Sequence, residues 1–241
     1  MNDQVTPNFR PLYQQIKEVL LSRIVSGEWP PGTFIPSESA LSQQYGVSVG
    51  TLRKALDALA NENVVIRRQG KGTVVATHDS DRSLFQFFHL VRLDGERSLP
   101  ISRVLVRERR KAEAIEAEAL GMEPGDEVIH IRRIRELDER PALLEDVVVS
   151  ATRFTGLEEE PQPLPNTLYH LYQQRFGVSV AHAEERLFAI AAGSEEQEHL
   201  GVEVNTPLLE IRRIAKDLQG NPLEYRVSRC ETQHHYYLNE L

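Results

Sequence analysis

The chain is poor in the features that mark secreted, membrane-bound and metal-holding proteins. Among its 241 residues there is one cysteine, Cys230, so no internal disulfide can form and a reducing compartment, the cytoplasm, is expected. No apolar run approaches the ~20 residues that a bilayer-spanning helix requires. The opening stretch, MNDQVTPNFRPLY, has neither the basic start nor the apolar core of a secretory signal, and no membrane association is expected. Positive charge is also scarce, since the formal net charge is −8, which argues at first against a nucleic-acid partner. The deficit is uneven. Residues 1–77 carry eight Lys/Arg against six Asp/Glu (+2), and the remainder carries 20 against 30 (−10). A mildly basic first part can approach phosphate while an acidic second part stays off it. The length and the 40% hydrophobic content allow a core for each.

What is present is concentrated in residues 36–75, PSESALSQQYGVSVGTLRKALDALANENVVIRRQGKGTVV. Ser37 suits an N-cap, with Glu38 in the first turn behind it. That helix can run only to Gly46, and Ser48 can cap the next, leaving a turn of about three residues as a helix-turn-helix needs. Leu52, Ala55, Leu56 and Leu59 share one face of the second helix, so Val49, Gly50, Thr51, Arg53 and Lys54 are left for a major groove. Val64–Arg68, a Gln69-Gly70-Lys71-Gly72 turn and Thr73–Val75 read as a hairpin wing with Lys71 at its tip. An earlier helix begins near Pro11, carries Leu12, Ile16, Val19, Leu20 and Ile24 as an apolar stripe, and ends at Gly27. The reading is a winged helix-turn-helix over residues 9–77, a linker at 78–84, and a second domain over 85–241.

These motifs resemble the GntR family of transcriptional regulators: Pro36-Ser37-Glu38, Val47-Ser48, Thr51-Leu52-Arg53-Lys54-Ala55-Leu56 and Arg68-Gln69-Gly70-Lys71-Gly72-Thr73 match its N-terminal signature. The resemblance implies double-stranded operator DNA as partner, with Ser37, Ser39, Ser48, Val49, Gly50, Thr51, Arg53, Lys54, Gln69, Gly70 and Lys71 at the interface. Ser39 and Val49 stand where the family usually has arginines that touch the operator. Arginine can fork onto guanine, whereas serine makes an ambiguous contact and valine offers only an apolar face, so base readout differs from the usual pattern or is weaker.

The second half repeats itself at an offset of about 80 residues: Leu120-Gly121-Met122-Glu123 before Ile131-Arg132-Arg133-Ile134, and Leu200-Gly201-Val202-Glu203 before Ile211-Arg212-Arg213-Ile214. Each copy reads as helix, strand, a turn before Pro141 or Pro222, and strand, which fits a duplicated half-domain sharing one sheet better than a solenoid. With further strands at 87–93 and 102–109 this is an α+β domain, an antiparallel sheet of about six strands with helices over one face. It resembles the UTRA effector domain of the HutC-like GntR branch, whose fold is similar to chorismate lyase, in Leu105–Gly121, Arg133-Ile134-Arg135, Pro141–Glu145, Asn166-Thr167-Leu168-Tyr169 and Asn221-Pro222-Leu223-Glu224-Tyr225.

The residues themselves also point to a pocket. Side chains alternate along a strand, so Ile129, Ile131, Arg133, Arg135 and Leu137 face one way, and two arginines follow isoleucines onto the apolar side. Buried guanidinium groups need carboxylates or an external anion. Glu145 or Glu224 can neutralise them, or can instead accept from the hydroxyl or amino groups of a ligand. Thr167 opens a helix over 168–176, where free amides and the helix dipole favour an anion. In the resembled family the matching positions line the effector pocket. This gives His89, Arg133, Arg135, Glu145, Thr167, Tyr169 and Glu224 as effector residues and a small anionic metabolite, a sugar phosphate or a carboxylate, as ligand. His234-His235 would point to opposite sides of a strand, Cys230 lacks a nucleophile's surroundings, and Glu158-Glu159-Glu160 reads as a solvated loop; no metal or cofactor is expected. The whole is a homodimeric DNA-binding regulator, a repressor by family analogy. The alternatives are an enzyme of lyase-like fold with a DNA-binding module, and a ligand-free architectural protein.

Overall fold

The computed structural model describes residues 10–78 and 87–239 and folds as two compact units that divide between Thr77 and His78. In the first unit, α1 (Leu12–Val25), α2 (Glu38–Tyr45) and α3 (Val49–Asn61) precede the wing strands β1 (Val65–Arg68) and β2 (Gly72–Val75). The expected caps are in place. The Ser37 hydroxyl accepts from the Ala40 amide at 3.2 Å and the Ser48 hydroxyl from the Thr51 amide at 3.1 Å. Gly46 ends α2 at φ 66°, a left-handed conformation that costs a residue with a Cβ more than glycine. Ile16, Leu20 and Ile24 of α1 are buried, as are Leu52, Ala55, Leu56 and Leu59 of α3. In the wing, Val65 stands opposite Val75, Ile66 opposite Val74 and Arg68 opposite Gly72. A third extended segment joins it, with the Ile35 amide donating to the Thr73 carbonyl and the Val75 amide to that of Thr33.

The second unit is built on a six-stranded antiparallel sheet in the order β4 (Ile101–Lys111), β5 (Glu127–Leu137), β6 (Arg140–Ser150), β9 (Pro222–Glu231), β8 (Pro207–Asp217), β7 (Val180–Ala191). The repeat is visible in this order, because the two halves meet at the central β6–β9 pair. Each half is a long strand, a short helix, and a hairpin of two long strands; the helices are α4 (Ala114–Leu120) and α6 (Ser194–Leu200), ended by Gly121 at φ 63° and Gly201 at φ 70°. The helices are crossed. The first half's α4 packs on β9 of the second as well as on β6 of its own, and the second half's α6 packs on β6 of the first.

Three expectations need correction. The strand predicted at 87–93 is only β3 (Leu90–Arg92), which pairs with β10 (His235–Tyr237) in a separate two-stranded sheet. The sixth strand of the main sheet is β7, whose exposed outer-edge pattern gave no alternating apolar signal. Helices also cover both faces, not one. Ile129, Ile131, Val147 and Val149 pack under α5 (Leu168–Phe176), while Val128 and Val148, on the opposite face of the same strands, pack against Ala117 and Leu120 of α4. The predicted linker at 78–84 lies outside the described residues apart from His78. That residue is buried in the second unit, and its amide donates to Gln173 Oε1 at 3.0 Å. No helix among the described residues is long and apolar enough to cross a membrane.

Candidate functional site

In the first unit, residues 46–48 form the turn between α2 and α3. Ser39, Val49, Gly50, Arg53 and Lys54 are exposed, Thr51 is half-buried, and Gln69, Gly70 and Lys71 are exposed at the wing tip. The recognition-helix cations are not free. Arg53 Nε and Nη2 donate to Glu38 Oε2 at 3.1 and 3.0 Å, and Lys54 Nζ lies over the Tyr13 ring, 4.3 Å from its centroid. Lys54 is thereby drawn towards α1, away from the position expected of a base-reading residue. Ser37 and Ser48 are occupied as caps, and the Ser48 and Thr51 hydroxyls also bond each other at 2.9 Å. Their side chains shape the helix ends, while Ser39, Val49, Gly50 and Arg53 are exposed beside them.

In the second unit, a narrow cavity lies between the sheet and the start of α5. It is lined by Phe87, Phe88, Arg133, Arg135, Asn166, Thr167, Leu168, Tyr169, Arg213 and Arg226. Arg133 is buried; its Nε donates to Glu145 Oε2 at 2.7 Å. The Arg226 guanidinium lies alongside the Glu224 carboxylate, with Nε to Oε1 at 2.9 Å and Nη2 to Oε2 at 3.0 Å, and approaches Glu145 at 3.6 Å. Arg213 Nε donates to Glu185 at 2.6 Å, and its Nη2 holds the Phe87 carbonyl. Arg135 is different. It is 2% exposed, and among the described residues its one ionic contact is Nη1 to Glu145 at 3.5 Å and its buried Nε and Nη2 have no partner. The Phe88 ring lies 5.3 Å from its guanidinium carbon. Burial first, then repulsion from Arg133, pulls the Arg135 pKa down to about 9, so the group remains cationic at neutral pH. Burial works to raise the Glu145 pKa, but Arg133, Arg226 and Arg135 outweigh it and hold the carboxyl well below its usual range.

A winged helix-turn-helix joined to this duplicated sheet domain matches two family models, "Bacterial regulatory proteins, gntR family" over residues 12–75 and "UTRA domain" over residues 96–236. The chain belongs to the GntR family of regulators with a UTRA domain. It is 30% identical over 240 residues to the HTH-type transcriptional regulator GgaR of Escherichia coli K12, covering 95% of this chain and 91% of GgaR. It is 28% identical over 217 residues to MngR of the same strain, named a repressor of mannosyl-D-glycerate transport and metabolism, covering 90% of each. The UTRA domain superposes on a crystal structure described as the ligand-binding domain of a GntR-family regulator from Bordetella bronchiseptica. The TM-score is 0.60 at 35% identity, covering 64% of this chain and 97% of that one. The chain is a DNA-binding transcriptional regulator with a ligand-binding C-terminal domain.

Within the UTRA cavity the structure brings together Arg133, Arg135, Thr167 and Tyr169 of the expected residues. Thr167 occupies the N-cap position of α5 without spending its hydroxyl on a cap bond. Glu145 and Glu224 are present but stand behind the arginines. Glu224 accepts from Tyr169 and Tyr172 hydroxyls at 3.1 and 2.8 Å as well as from Arg226, so it is saturated and not the ligand acceptor expected of it. His89 is not a lining residue; its ring packs 5.2 Å from that of Tyr237 and burial lowers its pKa. Arg213, Arg226 and the Phe87-Phe88 pair were missed. Arg213 is the copy of Arg133 at the 80-residue offset, so the repeat itself carried that signal. Other side readings also shift: Glu158 and Glu160 pair with Arg109 and Arg175, and His234 and His235 converge on the two oxygens of Glu231.

The opposite face of the UTRA sheet holds a second charged cluster centred on Asp146, which accepts from His130 Nε2 at 2.7 Å, Arg132 Nε at 2.7 Å and Arg229 Nη1 at 2.9 Å. Burial would raise the Asp146 pKa, but these donors depress it. A depressed folded-state pKa adds stability that is complete above the ordinary aspartate value of about 3.9 and is lost as pH falls through the lower folded value. Urea midpoints are therefore expected to fall steeply below about pH 4, with a shallower fall in Asp146→Asn.

Proposed function

We propose that the protein is a cytoplasmic homodimeric repressor whose hold on operator DNA is relaxed by a small anionic metabolite bound at Arg133, Arg135, Thr167 and Tyr169, with Arg213 and Arg226 completing the wall. The observation that carries this reading is Arg135, a buried cation that lines the cavity with two donors unpaired among the described residues. The charges beside it do not cancel: Arg133, Arg135, Arg213 and Arg226 stand against Glu145, Glu185 and Glu224. A phosphate or carboxylate supplies the missing charge and accepts from Nε and Nη2. The start of α5 adds a favourable dipole. The site has donors to spare and no free carboxylate, which suits recognition without turnover. The repressor sense is supported by the name of MngR, and the dimer by the half-site logic of helix-turn-helix proteins. Ser39, Val49, Gly50, Thr51, Arg53, Gln69, Gly70 and Lys71 would face the duplex.

Coupling of about 1–3 kcal/mol between the sites changes operator affinity roughly 5- to 150-fold. The test is thermal unfolding against a panel of sugar phosphates, amino-sugar phosphates, dicarboxylates and their uncharged counterparts. Anionic members are expected to raise the transition and to release DNA at the same concentrations. Stabilisation by uncharged sugars to the same extent would overturn the anionic assignment.

A further inference from the structure

We propose that Glu38 is a positioning residue for operator reading, a single carboxylate that aims the recognition-helix arginine and ties it to the wing. Glu38 begins α2, and its side chain is 24% exposed beside Arg53 at 58%. One carboxylate oxygen, Oε2, receives both Arg53 bonds, and the other, Oε1, receives Arg67 Nη1 at 3.0 Å. Arg67, on β1, also donates Nη2 to the Arg53 carbonyl at 3.2 Å and reaches Asp57 of α3 at 3.0 Å. The recognition helix α3, the preceding helix α2 and the wing are thus joined through Glu38.

The geometry also chooses which edge of Arg53 is left to read bases. A guanidinium has five donors arranged as a fork. With Nε and one Nη2 hydrogen engaged by Glu38, the end-on pair Nη1 and Nη2 points outward, the pair that fits guanine O6 and N7. Since Ser39 and Val49 have no guanidinium to offer, the aim of Arg53 carries more of the readout. An exposed arginine without such a partner samples many rotamers and reaches phosphate as readily as base.

A carboxylate at this surface repels phosphate, so charge alone and positioning predict opposite results. By charge alone, Glu38→Gln tightens binding to every duplex. By positioning, it lowers the preference for selected over unselected DNA by about 10-fold, the scale of one bidentate base contact, while binding to unselected DNA is unchanged or tighter. The probe is duplex selected from a random pool by the full wild-type chain, compared with the unselected pool, using variants whose unfolding midpoints match the wild type. Glu62→Gln, which removes the same charge from a carboxylate paired with Lys17, controls for charge and is expected to keep the preference. Selection repeated with Glu38→Gln and with Arg53→Ala should blur the same base positions. An unchanged preference in Glu38→Gln, an equal loss in Glu62→Gln, or blurring at different positions from Arg53→Ala would each overturn the proposal.

Discussion

Glu224→Ala is expected to be the most damaging single substitution in the UTRA domain, lowering stability by about 3–5 kcal/mol, the usual cost of leaving a buried charge without its partner. Glu224 is fully buried and accepts from Tyr169, Tyr172 and Arg226. Among the described residues, removing it leaves the Arg226 guanidinium with only the 3.6 Å approach to Glu145 as an ion pair, and two buried tyrosine hydroxyls without the acceptor they share. In a unit of this size the melting point should fall by roughly 6–20 °C. Glu224→Gln, which keeps an acceptor and the shape, should fall less. Scanning calorimetry of the two variants checks this, and equal midpoints for wild type and Glu224→Ala would mean that Arg226 finds another partner.

Arg135→Met should behave in the opposite sense in the free protein and abolish the response to ligand. The wild-type guanidinium has no good partner to lose: two of its donors are unpaired, and Arg133 repels it. A methionine of similar reach can pack on Phe88 without desolvating a charge, so the unliganded midpoint is expected to stay level or rise. The shift produced by an anionic ligand, about 2.7 kcal/mol at a hundredfold excess over Kd, should vanish. Thermal unfolding with and without that ligand separates the cases. A midpoint several degrees lower with the shift intact would make Arg135 structural. Stability and response should therefore separate at Arg135 and move together at Glu224.

Much of this was legible in the chain because it depends on local chemistry. Ser37, Gly46 and Ser48 act on amides within a turn of themselves, so the helix-turn-helix can be read from spacing alone. Arg133 and Arg135 were legible because charges in an apolar strand demand partners. Their partners were less so. Glu145 stands directly across from Arg133 in the β5–β6 register, whereas Glu224 reaches Tyr169 and Tyr172 on α5, a pairing set by where that helix lands on the sheet. β7 escaped notice because an exposed edge strand has no apolar alternation to display. His89 illustrates the converse error. Proximity in sequence to Phe87 and Phe88 does not place it in the cavity they line, because the chain turns into β3 and carries the imidazole to Tyr237.

The exchange of α4 and α6 across the centre of the sheet makes the two copies mutually dependent. Each half contributes part of the lid over its neighbour, so a segment ending after β6 would keep α4 on Val128 and Val148 but lose Tyr225 of β9 beneath it, and a segment beginning at β7 would leave Leu200 of α6 without Ile134 and Leu144. Neither copy owns a complete interior. The duplicated domain therefore gains and loses its structure as one cooperative body, and a disturbance that begins in either copy is shared by both.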